Sequence, residues 1–386
     1  MPPPPPSLGA DTAQSLVPRE NSLDELEHAL ETTLSDATPA TKDELRRLAR
    51  YRPPPAARHL EFPKNKLAAV LVLLHLNPLG ELSVTLTTRS SRLRSHPGET
   101  ALPGGRWEEG DGEGGVWTAY REAHEEIGLP LPPRDSVFAS SSPRPQGARP
   151  PPSHLLHLTT LAPFTSRTLL VVLPVVALLV EPAATATSTY LPRVLVPSPD
   201  EVAALFHLPL RAFLLRPPSS SSATTSSPAP STRPSTRSTP RTRPSPGTEA
   251  LSHSFADFAW LLERPYRLHS FSSADEGVTP SAVTGLTADI VVRCAMVAES
   301  GRLGARGDEG EGDEHLREPG FEREAEGQLG WEETIRVALG LEGRLGLGER
   351  VKVGAGGGRE GGRGEEGEER GEVQVEERRA GVLARA

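Results

Sequence analysis

The stretch Arg121-Glu-Ala-His-Glu-Glu-Ile-Gly-Leu129 carries three glutamates at helical spacing followed by a glycine stop. The pattern predicts a helix that starts near Val116 and ends at Gly128, whose missing side chain suits a left-handed cap. Glu122, Glu125 and Glu126 then stand at i, i+3 and i+4, on one face. Like charges so crowded destabilise a helix unless a cation neutralises them. A hard divalent ion such as Mg²⁺ or Mn²⁺ takes oxygen ligands and retains waters, which this face supplies. Arg121 is placed to orient one of the carboxylates through paired N–H donors. The competing reading is a solvated acidic face, and the surrounding sequence weighs against it.

Upstream of the helix stand Leu102-Pro-Gly-Gly105 and a Gly/Glu-rich loop, Arg106–Gly115. Further back, Leu67–Leu76 is an apolar run broken only by His75, as expected of a strand covered on both faces. Asn77-Pro-Leu-Gly80 reads as a turn and Leu82–Thr88 as a second strand, so the two form a hairpin. Downstream, Leu169–Val180 reads as another buried strand. Glu201–Leu205 with Leu210–Leu215 suggests a short helix and a strand edge. Order resumes at about Phe255, and Leu286–Val297 has helical spacing.

Composition limits how much of the 386 residues folds. The chain has 36 glycines and 40 prolines, with only 4% aromatic residues, too little apolar surface over long stretches to offset ordering entropy. Ser140–Ser153 is a Pro-rich loop, and Met1–Leu16 reads as disordered with neither a secretory signal nor a transit peptide. A plausible amphipathic helical stretch runs from Ser22 to Arg50, with Thr41-Lys-Asp-Glu44 as a capping-box start. Pro217–Gly247 is a low-complexity insertion, and Gly301–Ala386 holds 22 of the glycines with dense Glu and Arg, a disordered composition. The expected organisation is an extension over 1–63, one α/β domain over 64–299 interrupted at 217–247, and a tail over 300–386.

One cysteine, Cys294, excludes a disulfide scaffold and a cysteine zinc cluster. The longest apolar run, Thr168–Val180, is broken by Pro174 and falls short of the roughly 18 residues of a membrane span. The net charge is −9, of which −7 lies in Gly301–Ala386, so the folded body is close to neutral and offers no basic field for nucleic acid. The calls are therefore no nucleic acid and no membrane, with the oligomeric state left open.

The stretch around the helix resembles the Nudix box, Gly-x5-Glu-x7-Arg-Glu-apolar-x-Glu-Glu-x-Gly-apolar. Arg121, Glu122, Ala123, Glu125, Glu126, Gly128 and Leu129 match its second half. Counting back from Arg121, Glu113 falls on the earlier Glu position, while Trp107 stands at the first Gly position with Gly105 two residues before it. A second motif, Leu86-Thr-Thr-Arg-Ser-Ser-Arg-Leu-Arg-Ser-His-Pro-Gly-Glu-Thr-Ala-Leu-Pro-Gly-Gly105, resembles the signature of the coenzyme A diphosphatases within that superfamily. Thr87, Arg89, Ser90, Arg94, Gly98, Pro103, Gly104 and Gly105 match in register, whereas Thr85 and Leu102 depart at core-type positions.

The resemblance implies a Nudix α/β/α sandwich with a mixed β-sheet, and metal-dependent hydrolysis of the diphosphate of CoA or acyl-CoA. The products would be adenosine 3′,5′-bisphosphate and 4′-phosphopantetheine or its acyl form. Glu122, Glu125 and Glu126 would hold Mg²⁺ or Mn²⁺, and Arg89, Arg94, Gly98, Gly104 and Gly105 would contact substrate, since guanidinium groups grip phosphate oxygens in pairs. The catalytic set would be Glu126, Glu125, Arg121 and Glu201, with Glu126 and Glu201 both open as the general base. Two rivals remain: a Nudix hydrolase for NADH or ADP-ribose, and a non-catalytic interaction module on the same fold. The resemblance implies a peroxisomal location and a cytoplasmic one is the alternative, for Leu383-Ala-Arg-Ala386 is no Ser-Lys-Leu-type signal.

Overall fold

The computed structural model describes residues 22–54, 57, 62–112, 114–134, 155–180, 195–215, 251–273, 278–300 and 319–340. Strand β1 (Leu67–Leu76) is central. It pairs antiparallel with β2 (Leu82–Arg89) across the expected hairpin and parallel with β7 (Val171–Leu179), Leu67 opposite Val171 through Leu74 opposite Leu178. The main path of the sheet runs β3-β2-β1-β7-β5, with β3 at Thr100–Ala101 and β5 at Leu155–Thr160. Three strands join it off this path: β4 (Gly104–Arg106) on β1, β6 (Phe164–Thr165) on β7 and β8 (Val202–Pro209) on β2. The sheet is therefore mixed, as expected.

The unbroken apolar run of β1 is explained by what covers each face. Leu67, Ala69, Leu71 and Leu73 pack with Ala119, Tyr120, Ala123 and Ile127 of helix α3 (Val116–Ile127). Ala68, Val72 and Leu74 point the other way, into a core shared with α1 (Ser22–Thr32), α2 (Pro39–Arg50) and α4 (Gly285–Ala298). Successive strand side chains alternate between faces, so a strand with helices on both sides needs no polar positions. Each leucine so buried contributes about 1.5–3 kcal/mol. The result is an α/β/α sandwich. Cys294 on α4 is buried as a free thiol.

Several expected boundaries differ. The stretch 22–50 is two helices, and Thr38 rather than Thr41 caps the second: its Oγ1 accepts from the Thr41 N–H at 3.1 Å, with Pro39 in the first turn, where its missing N–H costs nothing. Thr41 instead donates to the Gly80 carbonyl at 2.7 Å, tying the helix to the β1–β2 turn. Leu26, Leu45 and Leu48 are fully buried, so this pair belongs to the folded body and not to an extension. Glu201–Leu215 forms strand β8 followed by a 3₁₀ turn at Leu210–Leu214, the reverse of the expected order, because pairing with β2 overrides local pattern.

Strand β9 (Ser252–Ala259) pairs with β10 (Pro265–Ser272), itself paired with β11 (Val283–Thr284). The tail also departs from its composition. Residues 319–340 form a strap ending in helix α5 (Trp331–Ala338), with Ile335 and Ala338 fully buried. Thr334 meets Thr165 at 3.2 Å, and Lys66 donates to the Ala338 carbonyl. Averaged over the whole tail, glycine and charge mask this amphipathic helix. The expected disorder of Met1–Leu16, the loop Ser140–Ser153 and the insertion Pro217–Gly247 lie outside the described residues, as does Glu113. Among the described residues no helix is long and apolar enough to cross a membrane.

Candidate active site

The site forms where β4 runs against the flank of α3. Gly128 caps α3 in the left-handed region (φ 66°), its N–H bonding the His124 carbonyl at 2.9 Å, as the glycine stop predicted. Gly105 pairs with Ala69 of β1. A Cβ there would lie 2.5 Å from the carboxyl carbon of Glu122. A side chain at 105 would therefore displace the Glu122 carboxylate.

Glu126 is nearly buried (7% exposed). The Gly104 N–H donates to its Oε2 at 3.2 Å, and Arg89 Nη1 lies 4.0 Å from its Oε1. Burial pushes the Glu126 carboxyl up to about 8; the Gly104 N–H and Arg89 oppose this, while the charges of Glu122 and Glu201 add to it. Burial also raises Glu122, against the pull of Arg121. Burial, more than mutual repulsion, holds both carboxyls above their ordinary range. Their all-oxygen donor set fits a hard divalent cation. Among the described residues no three carboxylates or imidazoles converge as they stand. Glu125 is exposed, and Arg121 holds it at 3.1 Å.

Arg121 is the hub. Its Nη1 reaches Glu122 Oε1 at 3.0 Å, while Nε and Nη2 grip Asp111 at 2.9 and 3.0 Å, and Nη2 also donates to the Arg106 carbonyl. Asp111 is buried and accepts further from Thr118 Oγ1 at 2.9 Å and the Glu108 N–H at 3.0 Å. Sequence reading missed Asp111. Counting back from Arg121 led to Glu113, but counting forward five intervening residues from Gly105 lands on Asp111, so the extra residues of the loop lie after the acid.

The remaining candidates fall in two groups. Arg89 is drawn in, its Nε also bonding the Ser95 carbonyl at 3.3 Å. Glu201 sits in the turn that joins both halves of the site: its carbonyl accepts from the Ser90 N–H, and the nearby Ser198 N–H bonds the Glu126 carbonyl, both at 2.8 Å. Arg94 is exposed on the loop between β2 and β3 and is not brought to the glutamates. Gly98 turns that loop in the left-handed region (φ 74°), its N–H bonding the Arg89 carbonyl at 3.1 Å, so its part here is to shape the backbone.

Residues 65–174 match the NUDIX domain family, and with the sandwich and the glutamate helix in place the chain carries a Nudix domain. It is 40% identical over 151 residues to Nudix hydrolase 15, mitochondrial, of Arabidopsis thaliana, covering 39% of this chain and 42% of that protein. It is 36% identical over 200 residues to Nudix hydrolase 22, chloroplastic, of the same plant, covering 51% and 52%. A shorter match, 48% over 62 residues, is to the peroxisomal coenzyme A diphosphatase ndx-8 of Caenorhabditis elegans, covering 16% and 26%. The chain spans about half or less of the length of these relatives.

Proposed function

We propose that this chain is a metal-dependent hydrolase that splits the diphosphate of coenzyme A or a derivative into adenosine 3′,5′-bisphosphate and 4′-phosphopantetheine. The observation that carries the reading is the approach of Arg89, from the CoA-diphosphatase-like motif, to Glu126 on the glutamate helix. One residue thereby joins the substrate motif to the acidic face. The name of the C. elegans relative supports the same substrate class. The relatives' names include mitochondrial, chloroplastic and peroxisomal, so the shared domain does not set a compartment.

Glu122 and Glu126, joined by Glu125 once it leaves Arg121, would hold Mg²⁺ or Mn²⁺. Such an ion, when bound, lowers the pKa of a coordinated water and neutralises charge on the diphosphate. Arg89 would grip a diphosphate oxygen beside Glu126, and its planar fork suits that geometry. Arg121, locked on Asp111, keeps Glu122 in place below Gly105. A carboxylate with spare basicity would take the proton from the attacking water, and the two candidates are Glu126, raised by burial, and Glu201, whose charge acts on it.

The test is to incubate the purified chain with CoA, NADH and ADP-ribose, with and without Mg²⁺ or Mn²⁺, and to identify products by mass. Preferential, metal-dependent release of adenosine 3′,5′-bisphosphate from CoA is expected, and Glu126→Gln should lower the rate by about 10²-fold or more. Preference for NADH or ADP-ribose would move the substrate to another nucleoside diphosphate. No turnover of any of them would favour a non-catalytic binding module.

A further inference from the structure

A second concave site lies across the sheet from the glutamate helix. The strap 319–340 and the β9–β10 hairpin close against α4 and leave a cavity of ≈ 190 Å³. Leu286 and Val292 of α4 line it, and α4 packs on the sheet face opposite α3. The cavity shares no lining residue with α3 or β4. Its walls combine two chemistries: the rings of Trp260, Tyr266 and Trp331, and the guanidinium groups of Arg264, Arg293 and Arg323.

The aromatic wall is preformed, with the Trp260 and Tyr266 ring centroids 5.0 Å apart. The charges do not balance. Glu324 pairs with Arg323 Nη2 at 2.9 Å, yet the Arg323 Nε–H is buried without an acceptor. The exposed Arg264 has no ion-pair partner among the described residues. The other lining carboxylate, Asp289, accepts from the Tyr266 hydroxyl, and burial pushes it up to about 7. Such a carboxyl does little to cancel the charge of Arg264. Arginine side chains lining a partly closed cavity favour an acceptor brought by a ligand.

We propose that this cavity binds a small aromatic anion, with one ring system against Trp260, Tyr266 and Trp331 and its carboxylate or phosphate between Arg264 and Arg323. Size limits the ligand, because pockets for drug-sized molecules run about 300–1,000 Å³. The space of ≈ 190 Å³ suits a ring and one anionic group. The site is separate from the proposed hydrolytic one and independent of that reading.

The test titrates the full chain, in EDTA so that the glutamate face holds no metal, with 2-naphthoate, 2-naphthyl phosphate and the neutral 2-naphthamide. Calorimetry and tryptophan fluorescence are the readouts. Saturable binding of an anion at one site per chain is expected, with the amide at least about tenfold weaker. The preferred anion identifies carboxylate or phosphate as the natural group. Arg264→Ala, at an exposed position outside the core, should weaken the anion about tenfold, whereas Arg46→Ala on α2 should not. Trp331→Phe should remove part of the fluorescence change. No saturable binding of either anion up to about 10 mM overturns the proposal, as does equal binding of the amide or affinity unchanged in Arg264→Ala.

Discussion

Asp111→Asn tests the anchor on which the candidate active site rests. The native carboxylate accepts from Arg121 Nε and Nη2, Thr118 Oγ1 and the Glu108 N–H, all between 2.9 and 3.0 Å, and its side chain is 4% exposed against 16% for Arg121. Asparagine keeps the volume, loses the charge and turns an NH₂ toward donors. Removing one member of a buried ion pair costs about 3–5 kcal/mol. The lower end applies, because Arg121 retains Glu122 and Glu125. A loss of about 3 kcal/mol lowers Tm by roughly 6–12 °C in a domain of about 150–250 residues. Thermal unfolding followed by circular dichroism measures it.

The pH dependence sharpens that test. Desolvation pushes the Asp111 carboxyl up, but hydrogen bonds from Arg121, the Glu108 N–H and Thr118 outweigh it and hold the group below its ordinary value. A depressed carboxylate contributes stability that is present above its unfolded pKa, about 3.9, and is lost as the pH falls through the folded value. The gap between parent and Asp111→Asn should therefore close in acid, below about pH 4. A Tm within about 2 °C of the parent near neutral pH, or a gap that stays constant in acid, would refute the assigned role of Asp111.

Other substitutions probe the neighbouring groups. Gly105→Ala sets a Cβ 2.5 Å from the Glu122 carboxyl, so turnover should fall by about 10²-fold while Tm barely moves; unchanged kinetics would show that Glu122 is free to shift. Arg89→Ala should lower kcat/KM about ten- to a hundredfold, alike on CoA and dephospho-CoA because Arg89 sits beside Glu126, whereas Arg94→Ala should stay within about threefold. A loss confined to CoA would instead assign Arg89 to the 3′-phosphate. Between β1 and β8, burial pushes His75 and His207 down to about 3 and about 4, with His75 Nε2 and His207 Nδ1 3.2 Å apart. The unfolded chain then binds more protons than the fold, so stability falls as the pH drops below about 6.5, by about 2 kcal/mol per imidazole by about pH 5. Urea titrations of parent and His75→Leu/His207→Leu across this range should differ by that slope, and parallel curves would exclude the pair as its source.

Much of the sandwich was legible before any coordinates. The β1 run, the turn at Asn77–Gly80, β7 and the glycine-stopped helix were readable because a strand covered on both faces is apolar throughout and a 3.6-residue period places acids on one side. Glu122 and Glu126 were readable as one helix face for the same reason, whereas Arg89 and Gly105 were singled out by the resemblance to a family motif. What sequence could not supply was partnership across the chain. Asp111 became the partner of Arg121 only when the loop folded back on the helix, and Glu125 was drawn to Arg121 while Arg94 stayed at the surface. The helices at 22–50 and the strap at 319–340 read as margins by composition, yet their leucines and isoleucine complete the core, because burial is set by what approaches from elsewhere and local pattern records only the side that is offered.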